Sequence, residues 1–260
     1  MLHRIFISLL VCLQAVHAYS QDSLRYKAKL LVDPSFGFYM PLTTLLKGDA
    51  TDPLLQFDDH SHYWQVLSLS YFFHKHWGVT FTYQAGFSKS IAKKDGQFTE
   101  SMQSQYSKDY YVTPSSDGNN YDPKFMGQIQ RGYLGMIYRL ESRHFFMYPK
   151  LAIGLTSFYA NQGRVILKQK NANDVIEIFY LPNKQGYDCF TLAASASMGY
   201  KITKRVFINF NVLSSYYKSN ITYTQTTIDR DSEQSATDII KYKRNILSLG
   251  LGAGLIIVIK

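Results

Sequence analysis

The segment from Phe190 to Val212 constrains the fold of this chain more than any other stretch. It contains two arms in which large apolar residues alternate with small or polar ones, joined by the short link 201–205. Because side chains in a β-strand point alternately to opposite faces, each arm has one apolar face and one small or polar face. The link is too short for a crossover connection, so the sequence predicts an antiparallel hairpin.

The same unit recurs along the whole chain. Short turns (74–77, 141–144 and 201–205) alternate with long polar links (41–62, 89–127, 159–186 and 218–243). A sheet exposed to lipid must close on itself, and outer-membrane barrels have short periplasmic turns and long outer loops. We therefore predict an all-β fold, an eight-stranded antiparallel transmembrane β-barrel with short periplasmic turns and long extracellular loops. The eight predicted strands are 27–40, 63–73, 79–88, 130–140, 145–156, 190–200, 206–212 and 244–259.

A soluble lipocalin-like barrel is the structural alternative. It would turn the apolar face of each strand inward, onto a core, and it has no need of so regular a difference between short and long connections. The burial of the two faces distinguishes these possibilities.

The N-terminal residues predict an export signal. A short basic region precedes the apolar run 5–16, and Ala18 completes the small-residue pattern recognised by signal peptidase. We expect residues 1–18 to be a cleaved signal peptide and residues 19–260 to form one barrel domain in the outer membrane. A buried helix and a lipoprotein signal at Cys12 are the alternatives. Cys189 is then the single cysteine, and no cofactor is expected.

The polar faces of the strands would line the barrel interior. An eight-stranded barrel is just wide enough to be filled by its own side chains. We therefore predict a plug of hydrogen bonds and charge pairs around Asp33, with a narrow water-filled gap beside the small residues of the sixth and eighth strands as the alternative. The polar residues of the predicted lumen are Lys29, Asp33, Arg131, Lys150, Asn209 and Asn211.

Most of the formal net charge of +9 falls on the rim that carries the short turns. Anionic head groups of the inner leaflet are the natural partner of such a rim. Because the basic residues do not cluster in one segment, nucleic acid is not a predicted partner. The predicted basic rim includes Arg25, Lys75, Arg143, Lys201, Lys204 and Arg205.

His-x-His pairs are the weak candidates for metal ligands. His60 and His62 follow two aspartates, and two imidazoles beside a carboxylate can hold zinc or copper. An ordinary solvated loop is the alternative, and we predict no bound metal. A second pair, His74 and His76, lies in a short turn where lipid phosphate is as suitable a ligand as a metal ion.

A lipid-modifying hydrolase is the enzymatic alternative. Such an enzyme needs a serine, a histidine base and an acid close together. Only His60 and His62 lie toward the predicted outer face, and no serine is marked by its local sequence, so we expect no enzymatic activity. The second long link instead contains tyrosines among small polar residues, which suit the recognition of proteins or glycans or else form a solvated loop: Tyr106, Tyr110, Tyr111 and Tyr121.

The segments 148–155 (YPKLAIGL) and 198–202 (MGYKI), together with the strand rhythm, resemble the outer-membrane β-barrel proteins common in Bacteroidota, which include PorT-like proteins. The resemblance implies a role in type IX protein secretion and a protein partner in the envelope. The sequence departs from common barrel patterns because it ends in Ile259-Lys260 rather than in an aromatic residue, and because no peptidoglycan-binding domain follows the eighth strand.

These features predict a non-enzymatic outer-membrane β-barrel whose loops and rim engage outer-membrane lipids and envelope or secretion proteins. A narrow transport barrel for small or hydrophobic solutes is the second hypothesis for the function, and a lipid-modifying enzyme is the third. The sequence leaves the oligomeric state open.

Overall fold

A computed structural model describes residues 30–42, 61–87, 91–114, 128–160, 162–172, 174–184 and 186–259. These residues are nearly all β, in one large antiparallel sheet, and they include the helix α1 (Ile91–Tyr106). The strands are β1 (Leu30–Val32), β2 (Ser35–Pro41), β3 (Ser61–Phe72), β4 (Trp77–Phe87), β5 (Tyr110–Pro114), β6 (Gln128–Tyr138), β7 (Leu140–Glu141), β8 (Phe145–Tyr159), β9 (Gly163–Gln169), β10 (Val175–Pro182), β11 (Gly186–Lys201), β12 (Val206–Asp229) and β13 (Ser235–Ile259). Within the described ranges, no helix has the length and apolar character needed to cross a membrane.

Eight of these strands pair in a cycle. In order they are β2, β3, β4, β6, β8, β11, β12 and β13, each antiparallel to its neighbours. Since β13 pairs with both β12 and β2, the path of pairing returns to its start. β1 lies before β2 and pairs with β3 and β13 at the end of the cycle that carries the short turns, termed the turn end. Where they are described, the eight segments that the sequence predicts to be strands lie in the strands of the cycle and in β1 and β7, except at 33–34, 73 and 139, while 27–29 and 88 lie outside the described residues.

The cyclic sheet carries polar side chains inside and apolar side chains outside. In β12, Phe210 and Val212 are exposed, whereas the alternating residues Asn209 and Asn211 are buried. A lipocalin-like soluble barrel requires the opposite arrangement, because water drives apolar surface into the interior. Other outward apolar side chains that are more than half exposed include Phe36, Trp64, Leu134, Phe145, Leu151, Ile153, Leu155 and Phe190.

At the opposite end, termed the loop end, the prediction of long polar loops is wrong for the described residues. Helix α1 and β5 lie within 89–127, β9 and β10 form a hairpin within 159–186, and β12 and β13 extend through 218–243 to a turn at 230–234. Strands β5, β9 and β10, with residues 218–229 of β12 and 235–246 of β13, pair in the order β5-β9-β10-β12-β13. This part of the structure is termed the raised sheet.

A change of face along continuous strands explains the error. On the cycle, half of the buried inward residues of β12 are polar, namely Asn209, Asn211 and Ser215, and the outward residues are mainly apolar. In the raised sheet the inward residues Ile221 and Tyr223 are fully buried and apolar, whereas the outward residues from Lys218 to Thr226 are polar. The alternation therefore continues past Tyr217, but the apolar residues move to the opposite face, where a search for one unbroken apolar face does not find them.

The inward face of the raised sheet has an ordinary hydrophobic core. Helix α1 contributes Met102, which is fully buried, and Tyr106 packs against the same cluster. The helix therefore lies on the inward side of the raised sheet, above the interior of the cycle. Buried members of this core include Phe158, Val165, Leu167, Ile178, Tyr180, Tyr217, Ile221, Tyr223 and Tyr242.

Candidate functional site

The interior of the cycle has apolar layers at both ends and a polar layer between them. At the loop end, the core of the raised sheet reaches down to Ile129, Phe158 and Ile246, which lie near the loop-end limits of the cyclic strands. Between the two apolar layers lie the buried polar side chains and the rings of Tyr39 and Tyr63. The layer at the turn end consists of Leu31, Phe72, Ile137, Phe146, Tyr148, Phe207, Ile256 and Val258.

Asp33 is the centre of the polar layer. Its buried carboxylate accepts hydrogen bonds from Asn209 Nδ2 at 2.8 Å and Ser197 Oγ at 3.3 Å, and it pairs with Lys150 Nζ at 3.4 Å. Asn209 also donates to Asn211 Oδ1 at 3.1 Å. The structure thus brings together four of the predicted lumen residues and adds Ser197, which the sequence analysis does not single out. Lys29 lies outside the described residues.

Arg131, which is buried, lies outside this cluster. Its guanidinium carbon is 3.7 Å from the ring centroid of Tyr39, whose hydroxyl donates to Gln84 Oε1. Gln84 donates to Gln65 Oε1 at 3.0 Å, and Gln65 donates to the backbone oxygen of Asp33 at 2.6 Å. A chain of hydrogen bonds therefore connects the Tyr39–Arg131 pair to Asp33. The two glutamines are missing from the prediction, although both occupy inward positions of their strands and face each other in register.

The polar layer encloses a cavity of about 30 Å³. This volume holds about two water molecules, since one water needs roughly 10–15 Å³. The small residues of β13 leave no further gap beside them, because a side chain added at Gly250 or Gly252 would meet the ring of Tyr39 or Tyr63. The cavity is lined by Tyr63, Gln65, Gln84, Lys150, Ser197 and Asn211, among others.

The short turns hold the predicted basic rim, and part of that rim is paired. Lys201 Nζ donates to Glu141 Oε2 at 2.6 Å, and the Tyr148 hydroxyl donates to Glu141 Oε1 at 2.5 Å. Arg139 Nε lies 3.6 Å from the same carboxylate. Glu141 therefore fixes the turn between β6 and β8 against Lys201. It can do so because it is an acidic residue among the basic residues of the short turns. Lys75, Arg143, Lys204 and Arg205 are exposed, and Arg25 lies outside the described residues.

The described histidines do not come together. His62 is exposed and stacks on Phe36 with ring centroids 6.1 Å apart, while His76 Nδ1 is 3.0 Å from the carbonyl oxygen of Arg139. In the part of the chain that the structure describes, no group of three or more His, Cys, Asp or Glu residues is placed to hold a metal ion. His60 and the two aspartates before it lie outside that part.

The tyrosines of the second link belong to α1 and β5. Tyr106 and Tyr110 make an edge-to-face contact with centroids 6.4 Å apart and pack against the core of the raised sheet. Tyr111 is 61% exposed, with Lys170 Nζ 5.4 Å from its ring centroid. Tyr121 lies outside the described residues. Of the three described tyrosines, Tyr111 is therefore the one that faces solvent on the outward side of the raised sheet.

An ion-pair cluster in the raised sheet is also missing from the prediction. The buried carboxylate of Glu177 accepts a hydrogen bond from Arg164 Nε and another from Arg230 Nη2 at 3.0 Å. Burial alone would raise the pKa of Glu177, but the hydrogen bonds from the two guanidinium groups outweigh it, so its pKa is lowered. The cluster ties the β9–β10 hairpin to the turn between β12 and β13.

No protein-family model and no curated protein matches the chain. Among solved structures, OprG from Pseudomonas aeruginosa aligns with a TM-score of 0.40 and 12% identity, over 89% of this chain and 97% of its own. A major outer membrane protein from Thermus thermophilus aligns with a TM-score of 0.39 and 11% identity, over 88% and 99%. The outer membrane protease OmpT from Escherichia coli gives 0.38 and 8%, over 92% and 99%. These TM-scores are below 0.5 and carry no weight for the function of this chain, and the resemblance to PorT-like proteins stays a prediction.

Proposed function

We propose that this chain is a closed β-barrel that crosses a bacterial outer membrane, has a filled lumen, and acts without catalysis by presenting its raised sheet to envelope partners. The observation that carries the proposal is the inverted distribution of polarity on the cyclic sheet. Leu151 is 70% exposed on the outside, while Asp33 is 3% exposed on the inside. Such an outer face is stable in lipid, because hydrocarbon chains form no hydrogen bonds that apolar side chains would disrupt.

The height of the apolar face supports a transmembrane position. Outward residues of β12 are apolar at Ile208, Phe210 and Val212, and the last large outward ring before the lysines is Tyr216. At about 3.3 Å per residue, the roughly ten residues from Val206 to Tyr216 span about 33 Å of strand, or roughly 23 Å of bilayer depth at a tilt of about 45°. The apolar band of outer-membrane barrels is about 25 Å tall.

The interior supports a barrel that does not conduct. Apolar side chains occupy both ends of the lumen, and an apolar constriction repels water and ions. In the polar layer between them, Asp33 pairs with Lys150, the Arg131 guanidinium lies over the Tyr39 ring, and the cavity measures about 30 Å³. A hydrated solute needs a wider and continuous path, so these observations favour a filled barrel over the transport alternative.

The raised sheet supports the partner role. It is a folded structure with its own core, and such rigid surfaces bind without a large entropic cost of ordering. Its outward face exposes Tyr111, Leu181 and Ile239 at 61%, 47% and 65%, beside Lys168 and Thr113. Exposed aromatic and aliphatic groups among polar ones are typical of protein recognition surfaces. A secretion or assembly protein of the envelope fits the implied PorT-like resemblance.

The first test combines localisation with conductance. The chain expressed in a Gram-negative host should fractionate with the outer membrane, change gel mobility on boiling, and show no steady conductance in planar bilayers. A soluble protein of unchanged mobility would refute the barrel, and stable conductance in the wild type would refute the filled lumen.

A matched pair of variants sharpens the second half of that test. Tyr39→Ala with Tyr63→Ala removes the rings that cover Gly250 and Gly252, so it should enlarge the cavity of the polar layer, and conductance should rise only if the apolar layers at the two ends do not close the lumen. Phe36→Ala with Phe38→Ala removes rings of similar size from the outward face of the same region and should leave conductance at zero.

The partner role is tested by extraction in mild detergent followed by mass spectrometry of co-purifying proteins. Tyr111→Asp with Ile239→Asp should remove a stoichiometric partner while the mobility shift on boiling is kept. A wild-type barrel that carries lipid alone would count against a protein partner.

A further inference from the structure

The outward face of the β12–β13 hairpin changes character at a sharp line. On β12 the line follows Tyr216, and on β13 it precedes Leu247, which pairs with Tyr216. On the turn-end side of the line the outward residues of these strands are mainly apolar, for example Phe210 and Leu251. On the loop-end side they are polar or basic for several residues. The line marks the edge of the apolar band on this side of the barrel.

Three lysines lie on the outward face directly past that line. Lys218 pairs with Asn245, Lys243 pairs with Asn220, and Lys241 pairs with Thr222, so the three side chains share one face. All three are exposed. Lys218 and Lys243 are diagonal neighbours across the two strands, about 7–8 Å apart at Cα, and Lys241 is the next residue of the same face after Lys243.

Positive charge dominates this face, which is termed the lysine ladder (Lys218, Lys241 and Lys243). The outward positions of β12 from Tyr216 to Ile228 and of β13 from Ser235 to Leu247 contain these three lysines and no carboxylate. On the adjacent strand β11, Asp188 accepts a hydrogen bond from Ser157 Oγ at 2.5 Å. An anion that contacts these lysines gains a favourable charge–charge interaction with them.

We propose that the lysine ladder binds the phosphate groups of an anionic lipid in the outer leaflet, next to the wall formed by β12 and β13. This inference rests on the proposed function, because it requires the band below the ladder to lie in the membrane. The ligand is a lipid whose acyl chains contact the apolar wall and whose phosphates contact the lysines, as in a phosphorylated glycolipid.

The distance of the lysine ladder from the apolar band favours a lipid head group over a soluble anion as the ligand. Lys218 lies two residues past Tyr216, about 7 Å farther along the strand and at the level of the lipid phosphates, while Lys243 and Lys241 lie about 13 and 20 Å past Tyr216, where they face the outer part of a head group. The aromatic ring of Tyr216 is 43% exposed at the interface level, where tyrosine anchors barrels to head groups. A lipid that contacts both the wall and the ladder uses two adjoining surfaces, whereas a soluble anion uses only one.

The experiment compares two lipids that differ only in phosphate. The full chain is refolded into phosphatidylcholine nanodiscs, and binding of fluorescent bis-phosphorylated lipid A is measured against the same lipid A with both phosphates removed. We expect clear preference for the phosphorylated form, weakened by added salt. Each lysine near an anionic surface contributes about five-fold in affinity, so Lys218→Gln, Lys241→Gln and Lys243→Gln together should lower it by on the order of a hundred-fold.

The control removes the same charge from the opposite end: Lys75→Gln, Arg143→Gln and Arg205→Gln, all exposed positions of the turn end. This variant should keep wild-type affinity for lipid A. Equal binding of the two lipids by the wild type, or equal losses in the two triple variants, would overturn the lipid site while leaving the barrel intact. Failure of the wild type to insert into nanodiscs or to shift its gel mobility on boiling would instead refute the proposed function itself. The wild-type comparison stands even if the triple variant folds poorly.

Discussion

The turn-end and loop-end halves of β12 follow the same rule of alternation and arrive at opposite arrangements. In the turn-end half, Asn209 and Asn211 face inward and Phe210 faces outward. In the loop-end half, Ile221 and Tyr223 are buried inward, and Lys218 is exposed outward. One strand thus passes from an inside-out environment to an ordinary one without a break in pairing to β13. Strand formation depends on the period of two, whereas the surrounding solvent decides which of the two faces is apolar.

The two halves are stabilised by different interactions. In the turn-end half, the interior combines the apolar layer around Phe207 with the hydrogen bonds and the ion pair at Asp33, and the loss of a buried polar partner there would be costly. In the loop-end half, the burial of Met102, Tyr223 and their neighbours supplies an ordinary hydrophobic term. The same type of substitution should therefore have different consequences in the two halves.

The largest effect is expected at Asp33. Asp33→Ala leaves Lys150 and Asn209 without their shared acceptor in the lumen, and breaking one partner of a buried ion pair costs about 3–5 kcal/mol. The midpoint of urea unfolding in vesicles, followed by gel mobility without boiling, should fall accordingly. The raised sheet does not contact this group, so protection of β9 and β10 from proteolysis should persist until the barrel itself unfolds.

A double variant separates charge pairing from packing at this position. Asp33→Leu with Lys150→Met removes both charges together and should recover much of the stability that Asp33→Ala loses. If the single variant unfolds at the wild-type urea concentration, the polar layer does not stabilise the turn-end half, and the contrast between the halves fails.

A second pair of variants tests the position of the membrane. Leu151 and Ile239 are outward residues with similar exposure, 70% and 65%, but Leu151 lies in the proposed apolar band and Ile239 lies in the raised sheet. Leu151→Arg should cost about 2–4 kcal/mol of stability in a bilayer, because arginine near the midplane leaves water. Ile239→Arg remains in water and should be close to neutral.

Both variants are measured by the same unfolding assay in vesicles and, for comparison, in detergent. Equal losses for Leu151→Arg and Ile239→Arg would show that the two halves have the same solvent, which would refute the boundary at Tyr216. A loss confined to Leu151→Arg would fix the boundary between the two positions.

The boundary at Tyr216 separates the part of the fold that the sequence predicts from the part that it does not. The eight cyclic strands are predictable because their outward residues, such as Ile208 and Phe210 in β12, face a solvent that keeps one face apolar. The polar cluster is partly predictable, since Asp33, Lys150 and Asn209 all occupy the inward parity of their strands. Which partners meet depends on strand register, and a single sequence does not give register between distant strands.

The raised sheet is harder to predict for a physical reason. Its outward face mixes polar residues with a few apolar ones such as Ile239, so its strands resemble solvated links, and the apolar signal moves to Ile221, Tyr223 and Tyr242 on the other parity. A search for strands with a period of two would find the loop-end part of the β12–β13 hairpin if it allowed the apolar residues to move from one face of a strand to the other. Helix α1 has no comparable signal, because its sequence is largely polar and Met102 is its one fully buried side chain among those described.

Met102 gives a prediction of smaller size, confined to the loop-end half. Met102→Ala removes a fully buried side chain from the core of the raised sheet, which costs about 2 kcal/mol or more where the cavity does not collapse. We expect faster proteolytic cleavage in α1, measured by mass spectrometry of the fragments, with an unchanged mobility shift of the barrel on boiling.

The matched control lies on the exposed side of the same helix. Gln105→Ala changes an exposed residue of α1 and should leave cleavage at the wild-type rate. If Met102→Ala also abolishes the mobility shift on boiling, the two halves unfold as one unit. The halves would then differ in the solvent that surrounds them but not in their stability.

The smallest effect concerns acid and the ion-pair cluster of the raised sheet. Glu177 has a pKa lowered from its ordinary value of 4.5, so the folded state favours its charged form. Its contribution is therefore present above about pH 4.5 and is lost as the pH falls through the lowered folded pKa. Because Arg230 is partly exposed to water, the contribution is about 1 kcal/mol, and Glu177→Gln should lose that amount at pH 7.

Hydrogen exchange of β9 and β10 at pH 7 and pH 3 measures this directly. The wild type should lose protection at pH 3, whereas Glu177→Gln should begin less protected and change less with pH. Some dependence should remain, because hydrogen bonds from Ser232 and from the backbone of Asp231 also lower the pKa of Asp229 in the adjoining turn. Glu100→Gln, an exposed carboxylate of α1, should behave as the wild type. Equal pH dependence in all three proteins would mean that Glu177 does not hold the hairpin to the turn, and the loop-end half would then depend on its apolar core alone.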